Sequence, residues 1–179
     1  MQLRVLYDPD TIAGRCQAIA QAIAAGKPRD LLVIAILKGS FIFAADLIRA
    51  LHHAGLSPEV EFLHLASYHD GTQSTGKVEI RKDIESAVEG RDVLLIDDIL
   101  ESGRTLSFAS SLVLSRGAAR ALVAVLLEKP GKRAVTLDAD YVGFVCPDLF
   151  VVGYGMDMAR RYRELPFIGV VEGHEHEEH

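Results

Sequence analysis

Val93-Leu94-Leu95-Ile96-Asp97-Asp98-Ile99-Leu100-Glu101-Ser102-Gly103-Arg104-Thr105-Leu106 is the stretch on which the reading of this chain turns. Val93 to Ile96 reads as a strand buried on both faces, and it runs straight into two carboxylates. Burying Asp97 and Asp98 unpaired would cost several kcal/mol, so they must meet hydroxyls, a metal or a cation at the end of the strand. The next five residues, Glu101 to Thr105, offer consecutive backbone N–H groups, a flexible Gly103 and the hydroxyls of Ser102 and Thr105. A helix follows from Thr105 to Arg116 and stops at Gly117. A turn of this kind at a helix N-terminus is a cradle for a phosphate monoester. Acids that can hold a diol, set beside such a cradle, describe a site for ribose 5-phosphate. An acidic helix cap following a strand is the plainer alternative, and the adjacent acids with a Ser-Gly-Arg-Thr turn weigh against it.

Outward from that segment, two kinds of apolar period alternate. Asp10 is placed to cap a helix from Thr11 to about Ala25, with Ile12, Ile19 and Ile23 on one face and Gly26 ending it. Leu31 to Leu37 is a continuous apolar run and reads as a second buried strand; a helix from about Phe41 to Ala54 follows Ser40. Further strands are read at Glu59 to Ala66 and at Ala121 to Leu127. Strand–helix–strand order of this kind implies right-handed crossovers, so the fold class is α/β: a parallel twisted sheet flanked by helices. The 179 residues suit a single domain over 1–171, with a small hood from about Tyr141 to Val171 and a solvated, disordered His/Glu tail over 172–179. In such sheets ligands gather at the carboxyl ends of the strands.

Composition narrows the function further. Lys and Arg total 19 against 25 Asp and Glu, a formal charge of −6, which argues against a dedicated nucleic-acid binder. No apolar run approaches the ~20 residues that span a bilayer, and Met1-Gln2-Leu3-Arg4 opens no signal peptide, so no membrane partner is expected. Cys16 and Cys146 lack metal-ligand spacing and read as buried thiols in a reducing cytoplasm, with a disulfide the alternative. Gly71-Thr72-Gln73-Ser74-Thr75-Gly76-Lys77-Val78 nearly matches a nucleotide-binding Walker A loop, but Val78 stands where a hydroxyl is needed. The alternation of Lys77 to Lys82 there is that of a strand, so the ATP-binding reading is rejected. His52 and His53 fall near a helix end, His64 on a strand and His69 in a polar stretch; none has partners at ligand spacing.

The segment quoted first resembles the phosphoribosyl-diphosphate signature of type I phosphoribosyltransferases, and other segments are similar to their 6-oxopurine branch. Leu37-Lys38-Gly39-Ser40 with Phe43-Ala44-Ala45-Asp46-Leu47 resembles the first loop of that branch, and Ser67-Tyr68 the pair in its mobile catalytic loop. Leu126-Leu127-Glu128-Lys129, Tyr141 to Phe144 and Phe150 to Asp157 resemble the purine site, and Tyr162-Arg163-Glu164-Leu165-Pro166-Phe167-Ile168-Gly169 the closing segment. The likeness implies the type I fold and Mg²⁺-dependent transfer of 5-phosphoribosyl from phosphoribosyl diphosphate to N9 of hypoxanthine or guanine. The products would be IMP or GMP, in purine salvage, and the protein a homodimer or homotetramer.

Residue by residue, the resemblance implies that Asp97, Asp98, Ser102, Gly103, Arg104 and Thr105 hold the phosphoribosyl group. Lys38, Gly39, Ser67, Tyr68 and Arg163 would face pyrophosphate, with the Lys38-Gly39 peptide cis; Asp97, Asp98 and Asp157 would hold the metal. Lys129, Phe150, Val151 and Asp157 would form the purine site, where the Lys129 ammonium donates to O6 and meets the amine of adenine donor-to-donor. The polar stretch Ser67 to Gly76 is expected to be a lid.

One position departs from the pattern. Glu101 stands where the branch usually carries Asp facing purine N7. Its carboxyl can do the same proton chemistry while N9 attacks C1′, but the added methylene moves it by about an ångström, and a misplacement of ~1 Å can cost ~100-fold in rate. The alternatives are an RNA-binding regulator on the same scaffold with weak or no catalysis, and a sugar-phosphate module with other chemistry, such as a diphosphokinase-like protein.

Overall fold

In the computed structural model the described residues are 2–70 and 73–173, with the side chains of 68–70 and 73–75 outside the description. The tail residues 174–179 lie outside it as well. In chain order the elements are β1 (Leu3–Tyr7), α1 (Pro9–Ala25), β2 (Leu32–Leu37), α2 (Phe41–His53), β3 (Glu59–Asp70) and β4 (Gln73–Lys82). There follow β5 (Asp92–Leu100), α3 (Arg104–Ser115), β6 (Arg120–Glu128), β7 (Tyr141–Val145), β8 (Val151–Val152) and β9 (Ile168–Val171).

Among the described residues a six-stranded sheet runs β4-β3-β2-β5-β6-β7, parallel throughout except for β4, which pairs antiparallel with β3. The period-2 alternation of the strands sorts the core into two layers. Val33, Ala35, Leu94, Ile96, Ala124 and Leu126 face α1, α2 and the hood. Leu32, Ile34, Ile36, Val93, Leu95, Val123 and Val125 face α3. The uninterrupted apolar runs are thus strands covered on both sides, as the α/β reading expects.

Four boundaries differ from the sequence reading, each for a local reason. Helix α1 begins at Pro9 and is capped by Asp8, not Asp10: the Asp8 carboxylate accepts from the Thr11 N–H at 2.8 Å, and Pro9 takes a first-turn position for which its φ is preset. Strand β5 does not stop at Ile96. Its ladder with β2 ends at Ala35↔Ile96, but its ladder with β6 continues through Asp97↔Val125 to Leu100↔Glu128. Main-chain pairing is indifferent to the acidic side chains, so the acids sit inside a strand whose other neighbour has already ended. The polar stretch Ser67 to Gly76, expected as a lid without apolar periodicity, lies in the paired strands of a hairpin, with β3 running to Asp70 and β4 starting at Gln73. Its two-sided polar faces carry no alternation to read, while the backbone still pairs. Finally, Tyr141 to Val145 is not hood: β7 joins the large sheet beside β6. The small antiparallel sheet is β1-β9-β8, so the N-terminal strand completes it.

Candidate active site

The carboxyl ends of β2, β5 and β6 meet at one edge of the large sheet, and the residues there are held by backbone geometry. At Asp97 and Asp98 each carboxylate turns back on the chain, Asp97 accepting from the Asp98 N–H at 2.9 Å and Asp98 from the Ile99 N–H at 2.8 Å. Burial, and then the charge of Asp98, push the Asp97 carboxyl well above the usual carboxylate range. Strand alternation sends the two acids to opposite faces. Asp97 lines a cavity of about 280 Å³ with Ile99, Leu100, Glu101, Ser102, Gly103, Thr105 and Leu106. Asp98 lies against Gly39, where a Cβ would come within 1.9 Å of its Oδ2; only glycine allows that approach.

Gly103 takes a left-handed φ of 80° and is the N-cap of α3, and the Ser102 hydroxyl accepts from the Arg104 N–H at 3.3 Å. The first turn of α3 borders the cavity that Ser102, Gly103, Thr105 and Leu106 line, an arrangement suited to a phosphate. Arg104 contributes only its backbone here. Its side chain turns away: the guanidinium packs at 3.3 Å from where a Gly76 Cβ would be. It lines a separate cavity of about 170 Å³ with Ser67, Gly76, Lys77, Val78 and Ser102.

One residue further along the β5–β6 ladder, Glu101 stands opposite Lys129. The Lys129 N–H donates to the Leu100 carbonyl at 2.9 Å, and the Lys129 ammonium pairs with Glu101 Oε1 at 2.9 Å. Lys129 is 6% exposed, so its charge is met from inside the site and not by solvent. Arg133 is a site residue that the sequence reading missed. Its Nη1 donates to the Glu101 carbonyl at 2.6 Å and its Nη2 to Glu128 Oε1 at 2.7 Å, tying the phosphate loop to the end of β6. Nothing in the run Glu128-Lys129-Pro130-Gly131-Lys132-Arg133 distinguishes that arginine from the lysine beside it.

On the other side of Asp98, the cis peptide is Leu37-Lys38 and not Lys38-Gly39. Gly155, at φ 96°, packs its turn onto the same loop, and a Cβ there would lie 2.6 Å from the Gly39 carbonyl oxygen. Asp157 and Arg163 form an ion pair at 3.1 Å, while Arg163 also donates to the Gly155 carbonyl at 2.6 Å. The Tyr154 hydroxyl donates to the Asp46 carboxylate of α2, fixing this turn to the layer below. Phe150 is 44% exposed, and Val151 lies on β8, an edge strand with main-chain groups turned away from β9. A Lys132–Asp148 ion pair at 2.9 Å draws the segment before Phe150 toward the Lys129 loop. Tyr68 lies on β3, with its side chain outside the described residues.

Among the described residues no three His, Cys, Asp or Glu side chains converge as a metal centre. Asp157 is engaged by Arg163 and by the Arg160 N–H, and does not join Asp97 and Asp98. Mg²⁺ fits the donor set nonetheless: it is held by one or two carboxylates together with substrate phosphates, and a cation would favour the ionised Asp97 that burial and the charge of Asp98 disfavour. The thiols of Cys16 and Cys146 are buried and free. No described helix is long and apolar enough to cross a membrane. A larger cavity, of about 700 Å³, lies elsewhere, between α1, α2 and the Leu165–Pro166 segment, without the β5 acids or the phosphate cradle.

The phosphoribosyl transferase domain family matches residues 6–159. A hypoxanthine-guanine phosphoribosyltransferase of Staphylococcus epidermidis is 43% identical over 169 residues, covering 94% of this chain and 93% of that protein. The bifunctional protein TilS/HprT of Listeria innocua is 43% identical over 170 residues, but this chain spans only 26% of its length. A solved hypoxanthine phosphoribosyltransferase from Staphylococcus aureus superposes with a TM-score of 0.89 at 39% identity, covering 94% of this chain and 91% of that one. The chain belongs to the phosphoribosyltransferase family, in its hypoxanthine-guanine branch.

Proposed function

We propose that this protein transfers the 5-phosphoribosyl group of phosphoribosyl diphosphate to N9 of hypoxanthine or guanine, releasing pyrophosphate and giving IMP or GMP. The observation that carries the reading is the juxtaposition of the phosphate cradle at the N-terminus of α3 with the buried Lys129 ammonium, joined through Glu101. The 5′-phosphate lies against the backbone of Ser102 to Thr105 and the hydroxyls of Ser102 and Thr105. Asp97 and Asp98 take the ribose hydroxyls, while Lys38 and Arg163 neutralise the pyrophosphate.

Lys129 donates to O6 of the base, Phe150 offers a ring face, and the Val151 main chain meets the base edge. As the bond from C1′ to pyrophosphate breaks and the bond from N9 forms, positive charge develops on the ribose. The N7 proton of the base passes to the Glu101 carboxylate. Mg²⁺, held by Asp97 or Asp98 and the substrate phosphates, would stabilise the leaving pyrophosphate. On closing, the β3–β4 hairpin, which bears Ser67 and Tyr68, would exclude water from the reacting centre. The enzyme would work in a reducing cytoplasm, consistent with its two free buried thiols, and as a homodimer or homotetramer, which size-exclusion chromatography with light scattering would test.

The two Staphylococcus relatives named above are phosphoribosyltransferases by name, and nothing favours the RNA-regulator alternative. An assay with phosphoribosyl diphosphate, Mg²⁺ and a panel of purines tests the reading. Nucleotide formation from hypoxanthine or guanine, and none from adenine, is the expected result. Failure with every 6-oxopurine would overturn it.

A further inference from the structure

Glu101 has a second task that its role at N7 does not require. Its Oε1 sits 2.9 Å from the ammonium of Lys129, a side chain almost closed off from solvent, while Glu101 itself is 41% exposed. Neither partner can easily retreat. The Lys129 backbone is bonded to the Leu100 carbonyl at 2.9 Å, and the Glu101 carbonyl is gripped by Arg133 at 2.6 Å. The ladder Leu100↔Glu128 fixes the register, so the two side chains start from adjacent, immobile positions and meet across the place where O6 and N7 of a base must go. An aspartate, shorter by one C–C bond of about 1.5 Å, would leave a gap in the same frame.

Resting on the proposed transfer reaction, we propose that Glu101 is the internal counter-ion of Lys129. It closes the base subsite on itself until a 6-oxopurine takes its place, so that the length of this side chain sets the affinity for the base. In the free enzyme Lys129 has no acceptor to seek. Base binding exchanges partners: Lys129 passes from Glu101 to O6, and the released carboxylate turns to N7. A base without O6 cannot make that exchange, because nothing on it replaces the carboxylate beside the buried ammonium. Glu101 therefore acts on discrimination at C6 as well as on the proton at N7, and a competing contact is broken each time a substrate binds.

The experiment compares the native enzyme with Glu101→Asp, using as inhibitor 7-deazahypoxanthine, which keeps O6 and carries carbon in place of N7. No change in the N7 contact can then enter, and the readout is the inhibition constant. The expected result is a fall of about two- to fivefold in the variant, the size set by no longer breaking a half-exposed ion pair, with the KM for phosphoribosyl diphosphate unchanged. An inhibition constant that is unchanged or raised, with transfer intact, overturns the inference and leaves the transfer reaction standing. Absence of transfer by the native enzyme overturns both. Should the variant not fold, the native enzyme labelled with ¹⁵N-lysine decides the matter. The Nζ resonance missing from Lys129→Met should be protected from exchange and should shift on adding hypoxanthine with pyrophosphate; a resonance that does not move overturns the inference.

Discussion

Asp97 and Asp98 show how much a single residue position can cost the fold in order to serve the site. Asp97 has its folded-state carboxyl pKa raised by burial and by its neighbour, so its ionised form opposes folding. Replacing it with Asn removes that opposition. Asp97→Asn should raise Tm by about 2–4 °C, the shift that ~1 kcal/mol produces in a chain of this size, while activity collapses. Calorimetry beside the transfer assay checks both halves. Lys129 carries the opposite trade. Lys129→Met keeps the stem but loses a charged donor to O6, and kcat/KM for hypoxanthine should drop about 10–100-fold as the preference over adenine narrows. At this scale the sequence was informative where chemistry forces residue types into a short run, as in Asp97-Asp98 and Ser102-Gly103-Arg104-Thr105. It could not show that the Arg104 side chain leaves the cradle for Gly76, or that Arg133 enters from the far side, because both depend on contacts between distant segments.

Among the elements, β5 and β6 matter most, since their staggered ends determine what can meet. Because β2 stops opposite Ile96 while β6 runs on to Glu128, one flank of the acids opens to the Lys38-Gly39 loop and the other stays braced by β6. Apolar runs revealed that these strands exist and are buried, but not where they end. The strand boundaries follow main-chain pairing, which polar side chains do not interrupt, and the same blindness hid the pairing of the β3–β4 hairpin. The brace has a direct test in Arg133. Arg133→Ala removes two charged hydrogen bonds, one to the Glu101 carbonyl and one to Glu128, and frees the phosphate loop. The KM for phosphoribosyl diphosphate should rise about tenfold, the equivalent of one such bond, with far less change in the thermal midpoint than a core cavity would bring. Steady-state kinetics over both substrates measures it.

Over the whole molecule, stability and function are kept at opposite ends of the sheet. Asp92, at the start of β5, receives Arg120 through two bonds of 3.0 and 2.7 Å and the Arg29 N–H at 2.7 Å. These partners hold its carboxyl down at about 2, from an ordinary 3.8. A depressed folded-state value means that the stabilisation is complete above the unfolded pKa and is lost as the pH falls through the folded one. Asp92→Asn should therefore cost about 1–2 kcal/mol at pH 7, the half-exposed Arg120 tempering the figure, and that deficit should vanish toward pH 2 in denaturant titrations. The α/β class, the crossovers and the crevice at the strand ends were all legible from alternating periods. The hood's dependence on β1, at the other terminus, was not, since nothing local marks Leu3–Tyr7 as the partner of Ile168–Val171. A crystal structure with IMP bound tests the central claim most directly. The account predicts the phosphate on the Ser102–Thr105 backbone and O6 within about 3 Å of the Lys129 ammonium. A nucleotide seated instead in the 700 Å³ cleft between α1 and α2, with the β5 crevice empty, would contradict it.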